Sequence, residues 1–160
     1  MSYSFSPTNK NDAVKILNWH YDESLNFYNP NPSEIEETVE DFLNPENSYY
    51  SIFNNRNELV AYCCFGADAR VKGGNYDVEA LDIGFGLNPH LTRRGITFRI
   101  INAVYDFVKS HFSTTLFRVT VAEFNQQAIR LYEKAGFQQI QKFQREQDGV
   151  GFLVLILEVQ

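Results

Sequence analysis

Two short stretches of this chain place chemically capable groups where a folded backbone would aim them. Residues 125–137, NQQAIRLYEKAGF, read as a helix with a marked start, a marked end and a phenol within its apolar face. Asn125 is a good N-cap, because its side-chain oxygen can accept a free first-turn amide. Phe124 and Ile129 occupy the two positions of a hydrophobic staple, and Gly136 is placed to leave the helix in a left-handed conformation. At the helical repeat, Ala128, Ile129, Leu131, Tyr132 and Ala135 form one stripe, while Gln126, Gln127, Arg130, Glu133 and Lys134 cover the other side. Asn125 and Tyr132 share a face, so a phenol hydroxyl is offered at the edge of a buried surface. The alternative use of that tyrosine is core packing with its hydroxyl on backbone. The second stretch is HLTRRGIT, residues 90–97. It feeds a helix whose first amides are unpaired and whose dipole favours an anion. Arg93 and Arg94 add positive charge, which makes a seat for a pyrophosphate; the alternative is two solvated surface charges.

The elements that must position these groups follow from periodicity and turn residues. Residues 3–6 fit a short strand and 12–19 a helix. A loop dense in aromatics, Asn and Pro follows, WHYDESLNFYNPNP. Ser33 and Glu36 form a capping box that opens a helix to about Leu43. Residues 49–53 and 58–65 read as a hairpin, and residues 76–87 as one long strand. In its last part, LDIGFGL, apolar Leu81, Ile83, Phe85 and Leu87 alternate with Asp82, Gly84 and Gly86. Glycine in a strand often marks a close approach by a ligand. A helix from Gly95 and a strand over 116–122 complete a βαβ crossover, which requires parallel strands. The helix from Asn125 is followed by two strands around Asp148-Gly149, a strong hairpin signal. The expectation is one α/β domain over residues 1–160, an α+β mixed sheet of about seven strands with about four helices.

N-x-x-A-x-x-L-Y-E-K-A-G-F resembles the second signature segment of the GNAT superfamily, the acetyl-CoA-dependent N-acetyltransferases, and the order of elements is that of the GNAT-like fold. The loop resembles the family's Q/R-x-x-G-x-G/A less closely: Thr92 takes the Gln/Arg position, Gly95 matches, and Thr97 takes the last position. Pro89, Leu91, Thr92 and Gly95 fit the variant P-x-L-T-G-x-G better, with Arg93 where glycine is usual. The resemblance implies that the fourth and fifth strands are parallel and splayed, with the pantetheine arm of acetyl-CoA against Gly86 and Leu87. It implies that Thr92, Arg93, Arg94, Gly95, Ile96 and Thr97 hold the pyrophosphate, and that Asn125, Ala128 and Tyr132 contact the cofactor. Acetyl would pass directly to a primary amine in a ternary complex. Tyr132 would protonate the departing thiolate, and Asp82 or Glu79 would take the amine's proton, each with an ordinary polar role as its alternative. Trp19, Tyr21, Phe27 and Tyr28 would wall the acceptor pocket, where aromatic rings suit an apolar or cationic group, or would only bury a helix end. A non-catalytic acyl-CoA-binding sensor or interaction module on the same fold is the competing reading, motivated by the irregular loop.

Composition narrows the partners. The 160 residues hold 14 Lys and Arg against 20 Asp and Glu, a formal charge of −6. That argues against a nucleic-acid binder and is compatible with a cationic amine, whether a small molecule or a protein N-terminus. Cys63 and Cys64 are adjacent, so in a strand they point to opposite faces and suit two buried thiols better than a disulfide or metal site. His20, His90 and His111 show no metal-ligand spacing, and no metal is expected. The start MSYSFSPTNK has no apolar h-region and no apolar run is long enough to span a bilayer, so a cytoplasmic protein without membrane partners is expected. A homodimer stays open.

Overall fold

The structure is a computed structural model that describes residues 2–22, 27–91 and 94–158. Seven strands are ordered β1-β2-β3-β4-β5-β7-β6 in one sheet: β1 (Ser4–Pro7), β2 (Tyr50–Phe53), β3 (Leu59–Phe65), β4 (Leu81–Leu87), β5 (Leu116–Ala122), β6 (Gln138–Gln144) and β7 (Gly151–Glu158). Among the described residues four α-helices accompany them: α1 (Lys10–Leu17), α2 (Ile35–Leu43), α3 (Arg94–His111) and α4 (Gln126–Lys134). β1–β2, β2–β3, β5–β7 and β6–β7 are antiparallel and β4–β5 is parallel, the mixed topology that the crossover around α3 dictates. No helix among the described residues is long and apolar enough to cross a membrane. By proximity along the backbone the chain forms two compact units, residues 1–64 with 85–107, and residues 65–84 with 108–160.

In the first unit, Asn9 caps α1 by accepting from the Asp12 amide at 2.8 Å, and the helix starts two residues before the expected Asp12. Ala13, Ile16 and Leu17 of α1 and Val39 and Phe42 of α2 form a buried cluster, with Trp19, Tyr49 and Tyr62 packed against it. The expected capping box does not form. Asn31 accepts from the Ser33 amide and starts a 3-10 turn over Pro32–Glu34, from which α2 continues. Proline at the first turn position, pre-set for helical φ, favours that earlier start. On α3, Ile100, Ile101 and Val104 are buried, and Phe107 stacks on Phe5 at 4.4 Å.

The second unit carries β5 and β7, paired over seven residue pairs. Residues 76–80, expected as part of a long strand, lie outside β4. Their polar groups are taken by side chains instead of a ladder. The Asn75 side chain accepts from the Asp77 amide, and the Val78 carbonyl accepts from Arg118 at 2.7 Å. Gly149, at φ 72, turns the β6–β7 hairpin, with Arg145 N–H donating to the Val150 carbonyl. A register shift between Gln139 and Gln141 interrupts β6 and leaves Ile140 exposed.

The end of α4 fixes the phenol singled out above. Gly136 has φ 106. Its N–H donates to the Glu133 carbonyl at 3.0 Å, and Phe137 N–H donates to the Tyr132 carbonyl at 3.0 Å. These are the two bonds of a Schellman motif, and the accompanying apolar contact is the Tyr132–Phe137 ring pair at 5.5 Å. Phe124, by contrast, is 45% exposed while Ile129 is buried, so the staple residue before the cap stays at the surface. Alanine at position 136 would meet Leu157 Cδ1 at 3.2 Å in a backbone conformation that L residues resist. Gly136→Ala should lower unfolding free energy by about 1–2 kcal/mol, read as a fall in the urea midpoint at constant m-value; an unchanged midpoint would contradict this account of the helix end.

Candidate functional site

The β4–β5 ladder consists, among the described residues, of Leu81↔Phe117 and Asp82↔Arg118, although each strand is seven residues long. At the second of these rungs the paired residues also join through their side chains. Arg118 Nε donates to Asp82 Oδ1 at 2.6 Å and a terminal guanidinium nitrogen to Oδ2 at 2.9 Å. Both residues are buried, Arg118 at 1% and Asp82 at 2% exposure. Arg70 Nε donates to the same Oδ2 at 2.7 Å from a side chain that is 42% exposed. The Tyr76 ring packs against both guanidinium groups, 4.9 Å from Arg118 and 5.3 Å from Arg70, and the Tyr76 hydroxyl accepts from the Val71 amide and meets Thr120 Oγ1 at 2.8 Å. The Asp82 hydrogen bonds hold the Arg118 guanidinium above its ordinary range, against the opposing effect of burial.

This environment changes how the two carboxylate candidates read. Asp82 accepts three N–H groups from two guanidiniums, which ties up the lone pairs a base would use. Glu79 precedes β4 instead of lying on it, and is exposed. Arg118, Tyr76 and Arg70 were missed by sequence reasoning. Arg118 had a signal, a charged residue inside the apolar strand LFRVTVA.

Of the other expected residues, Asn125 caps α4, its Oδ1 accepting from the Ala128 amide at 3.2 Å, and Tyr132 is buried on the same helix. Thr92 and Arg93 lie outside the described residues. Arg94 and Gly95 open α3, and Ile96 follows half-buried. Thr97 is 3% exposed, so its branched side chain is turned into the protein. The first-turn amides of this 18-residue helix have no intrahelical partner, which fits an anionic group.

The aromatic loop converges on the end of β4. The Tyr21 hydroxyl donates to the Leu87 carbonyl at 2.8 Å. Its backbone is clamped to Asn29, which accepts from Tyr21 N–H at 2.6 Å and donates to the Tyr21 carbonyl at 3.1 Å. Tyr28 meets the Tyr21 ring edge-on at 6.3 Å, and Phe27 meets Tyr28 at 5.4 Å. Burial first, and Tyr28 second, push the Tyr21 phenol up to about 12. Trp19 lies 6.2 Å from Tyr62, and Tyr62 covers Gly86: a Cβ there would stand 2.3 Å from Tyr62 Cε1 and 2.8 Å from its hydroxyl. The glycine face expected to be bare is therefore covered at Gly86 by a phenol. Cys63 and Cys64 are buried and form no disulfide, and burial raises the Cys63 thiol further. No group of residues suited to a metal ion occurs among the described residues.

The order of elements and the mixed sheet with its parallel β4–β5 pair are those of an acyltransferase family. The model of the acetyltransferase (GNAT) family matches residues 13–137, and the chain belongs to that family of acetyl-CoA-dependent N-acetyltransferases. Solved structures agree in fold. A spermidine N-acetyltransferase chimera of Vibrio cholerae and hSSAT superposes with TM-score 0.75 at 15% identity, over 98% of this chain and 95% of that one. An aminoglycoside N(6')acetyltransferase from Legionella pneumophila gives 0.72 at 20% identity, over 98% and 91%. Aminoglycoside acetyltransferase AAC(6')-Ib in complex with coenzyme A gives 0.73 at 16% identity, over 98% and 95%. No curated protein sequence matches the chain.

Two measurements check the site's electrostatics. Removing one partner of a buried ion pair costs about 3–5 kcal/mol, so Asp82→Asn should lower Tm by roughly 6–20 °C in a chain of this size; a shift under about 3 °C would refute a buried pin. The Tyr21 phenol holds its proton more tightly folded than unfolded, so its contribution to stability is complete below pH 10 and lost as pH rises from about 10 to about 12. Tyr21→Phe should remove one proton's share, about 1.4 kcal/mol per pH unit, of the stability slope in that window, measured by urea unfolding at several alkaline pH values.

Proposed function

We propose that the chain transfers the acetyl group of acetyl-CoA directly to a primary amine of a polycationic acceptor within one ternary complex. The observation that carries this reading is the β4–β5 ladder, confined to two rungs and fixed there by the Asp82–Arg118 pair. Beyond those rungs β4 is left to align another extended group, the role the family gives to the pantetheine arm along Gly86 and Leu87. The opening of α3, with Arg94, Gly95, Ile96 and Thr97, takes the pyrophosphate together with Thr92 and Arg93. Backbone N–H at Leu87 polarises the thioester carbonyl as it becomes an oxyanion. Tyr132 donates a proton to the departing thiolate, the role of a positioned general acid. Asn125 and Ala128 hold the cofactor beside it.

Deprotonation of the amine falls to Glu79, directly or through water, because both Asp82 oxygens serve guanidinium groups. A covalent acetyl-cysteine is unsupported, since Cys63 and Cys64 are buried and burial keeps the Cys63 thiol protonated. The acceptor's charge is suggested by the chain itself. Between Ile16 and Asn55 it carries eight Asp and Glu and no Lys or Arg, and this stretch includes the aromatic loop with Trp19, Tyr21, Phe27 and Tyr28. Field and rings of that kind favour cations, the class to which spermidine and aminoglycosides, named for similar structures, belong.

The test is free-thiol release from acetyl-CoA with spermidine, ribostamycin and hexylamine as acceptors. Intersecting double-reciprocal lines are expected, and parallel lines, the mark of a covalent intermediate, would overturn direct transfer. Tyr132→Phe should lower kcat about 100-fold while calorimetry shows CoA binding within about threefold of the parent. CoA binding with no thiol release on any amine would favour the sensor reading instead.

A further inference from the structure

From the seat of Tyr62 on β4 we infer that this tyrosine determines acceptor specificity, and that Gly86 is glycine in order to hold it. The inference rests on the transferase reading above and adds a residue to it. Tyr62 lies in the middle of β3, and its ring tip occupies the space a side chain at position 86 would fill, with contacts to an added Cβ of 2.3, 2.7 and 2.8 Å. Contacts under 3.0 Å mean that a side chain at 86 would force the Tyr62 ring out of its present place. Tyr62 also packs near Phe42, at 5.4 Å, and Tyr49, at 6.1 Å. It is half-buried, and Trp19 stands 6.2 Å away at a tilt of 35°.

Next to Gly86, the Leu87 carbonyl is held by the Tyr21 hydroxyl at 2.8 Å. Two phenols, one from β3 and one from the aromatic loop, therefore flank the two β4 residues at which the thioester is to be placed. A rigid ring at that point confronts whatever approaches the acetyl group. Rings fixed by packing bind a cation through the π face with little ordering entropy, and they leave the cofactor's own contacts along the strand edge untouched. Tyr62 thus selects among amines by the cationic or apolar group beside the attacking nitrogen, and Trp19 borders the same space.

Trp19 is the chain's single tryptophan, so its emission reports occupancy without turnover. Thiol-release kinetics and tryptophan fluorescence titrations would be run with spermidine, ribostamycin and hexylamine on the parent, Tyr62→Phe and Tyr62→Leu. The expected result is a tenfold or greater rise in KM for spermidine in Tyr62→Leu, a change under threefold in Tyr62→Phe, and an unchanged KM for acetyl-CoA in both. The spermidine-dependent change in Trp19 emission should persist in Tyr62→Phe and weaken in parallel in Tyr62→Leu. Equal KM values in all three proteins, or matched changes in both substrates' KM, would overturn the role of Tyr62 and leave the transferase standing. A fluorescence response without thiol release would overturn the transferase, and loss of that response in Tyr62→Leu alone would still support Tyr62 as an amine contact. No response and no release with any amine would overturn both. Melting curves of the variants separate these outcomes from unfolding.

Discussion

Arg118 and Asp82 are neighbours twice, once as partners in the parallel ladder and once through two charge-assisted hydrogen bonds. A buried ion pair recovers little net stability over an apolar pair of the same shape, because both charges must leave water. What it adds is register. A one-residue slip of β4 against β5 would strand a carboxylate and a guanidinium, each buried and unpaired, and reverse every side chain on the strand. The same carboxylate collects Arg70, the same guanidinium collects the Val78 carbonyl, and the Tyr76 ring covers both cations. One rung therefore sets the strand, the loop that precedes it, and the point at which parallel pairing stops.

Much of this was legible before any coordinates. The strand over Leu116–Ala122 and the helix after Asn125 were bounded correctly, because caps, a left-handed glycine and strict periodicity all agreed there. The family motif placed Tyr132 on that helix, and the Schellman bonds explain why the glycine after it is fixed in type. The rest depended on partners outside the local pattern. Residues 76–80 look like strand locally, yet the distant Arg118 takes the Val78 carbonyl and Thr120 meets the Tyr76 hydroxyl. Ser33 and Glu36 have the spacing of a capping box, yet Asn31-Pro32 starts the turn first. For Asp82, a base and an ordinary polar role stayed open in the sequence because its partners lie 36 and 12 residues away. The strand end and the Asp82 ion pairs were decided by long-range side-chain partners that local pattern does not encode, and the helix start by the competing Asn31-Pro32 turn.

The glycines of β4 illustrate how one residue type carries two meanings. A glycine-lined strand invites the reading that a ligand's backbone-hugging arm needs room. At Gly86 the room is filled from within the protein, by Tyr62. The missing side chain makes room for an aromatic ring.

The outermost strands bear on how copies of this chain meet. A sheet of this width has only two borders at which a further strand could be added. At one, β1 is four residues long and ends in Pro7, which has no N–H to offer. At the other, β6 is broken by the shift at Gln139/Gln141, and Lys142 of the same strand reaches Glu123 at 2.9 Å from a largely exposed position. Short length, proline, a bulge and an exposed lysine are the devices that discourage edge-to-edge growth. Addition of a further strand is thereby disfavoured at both margins.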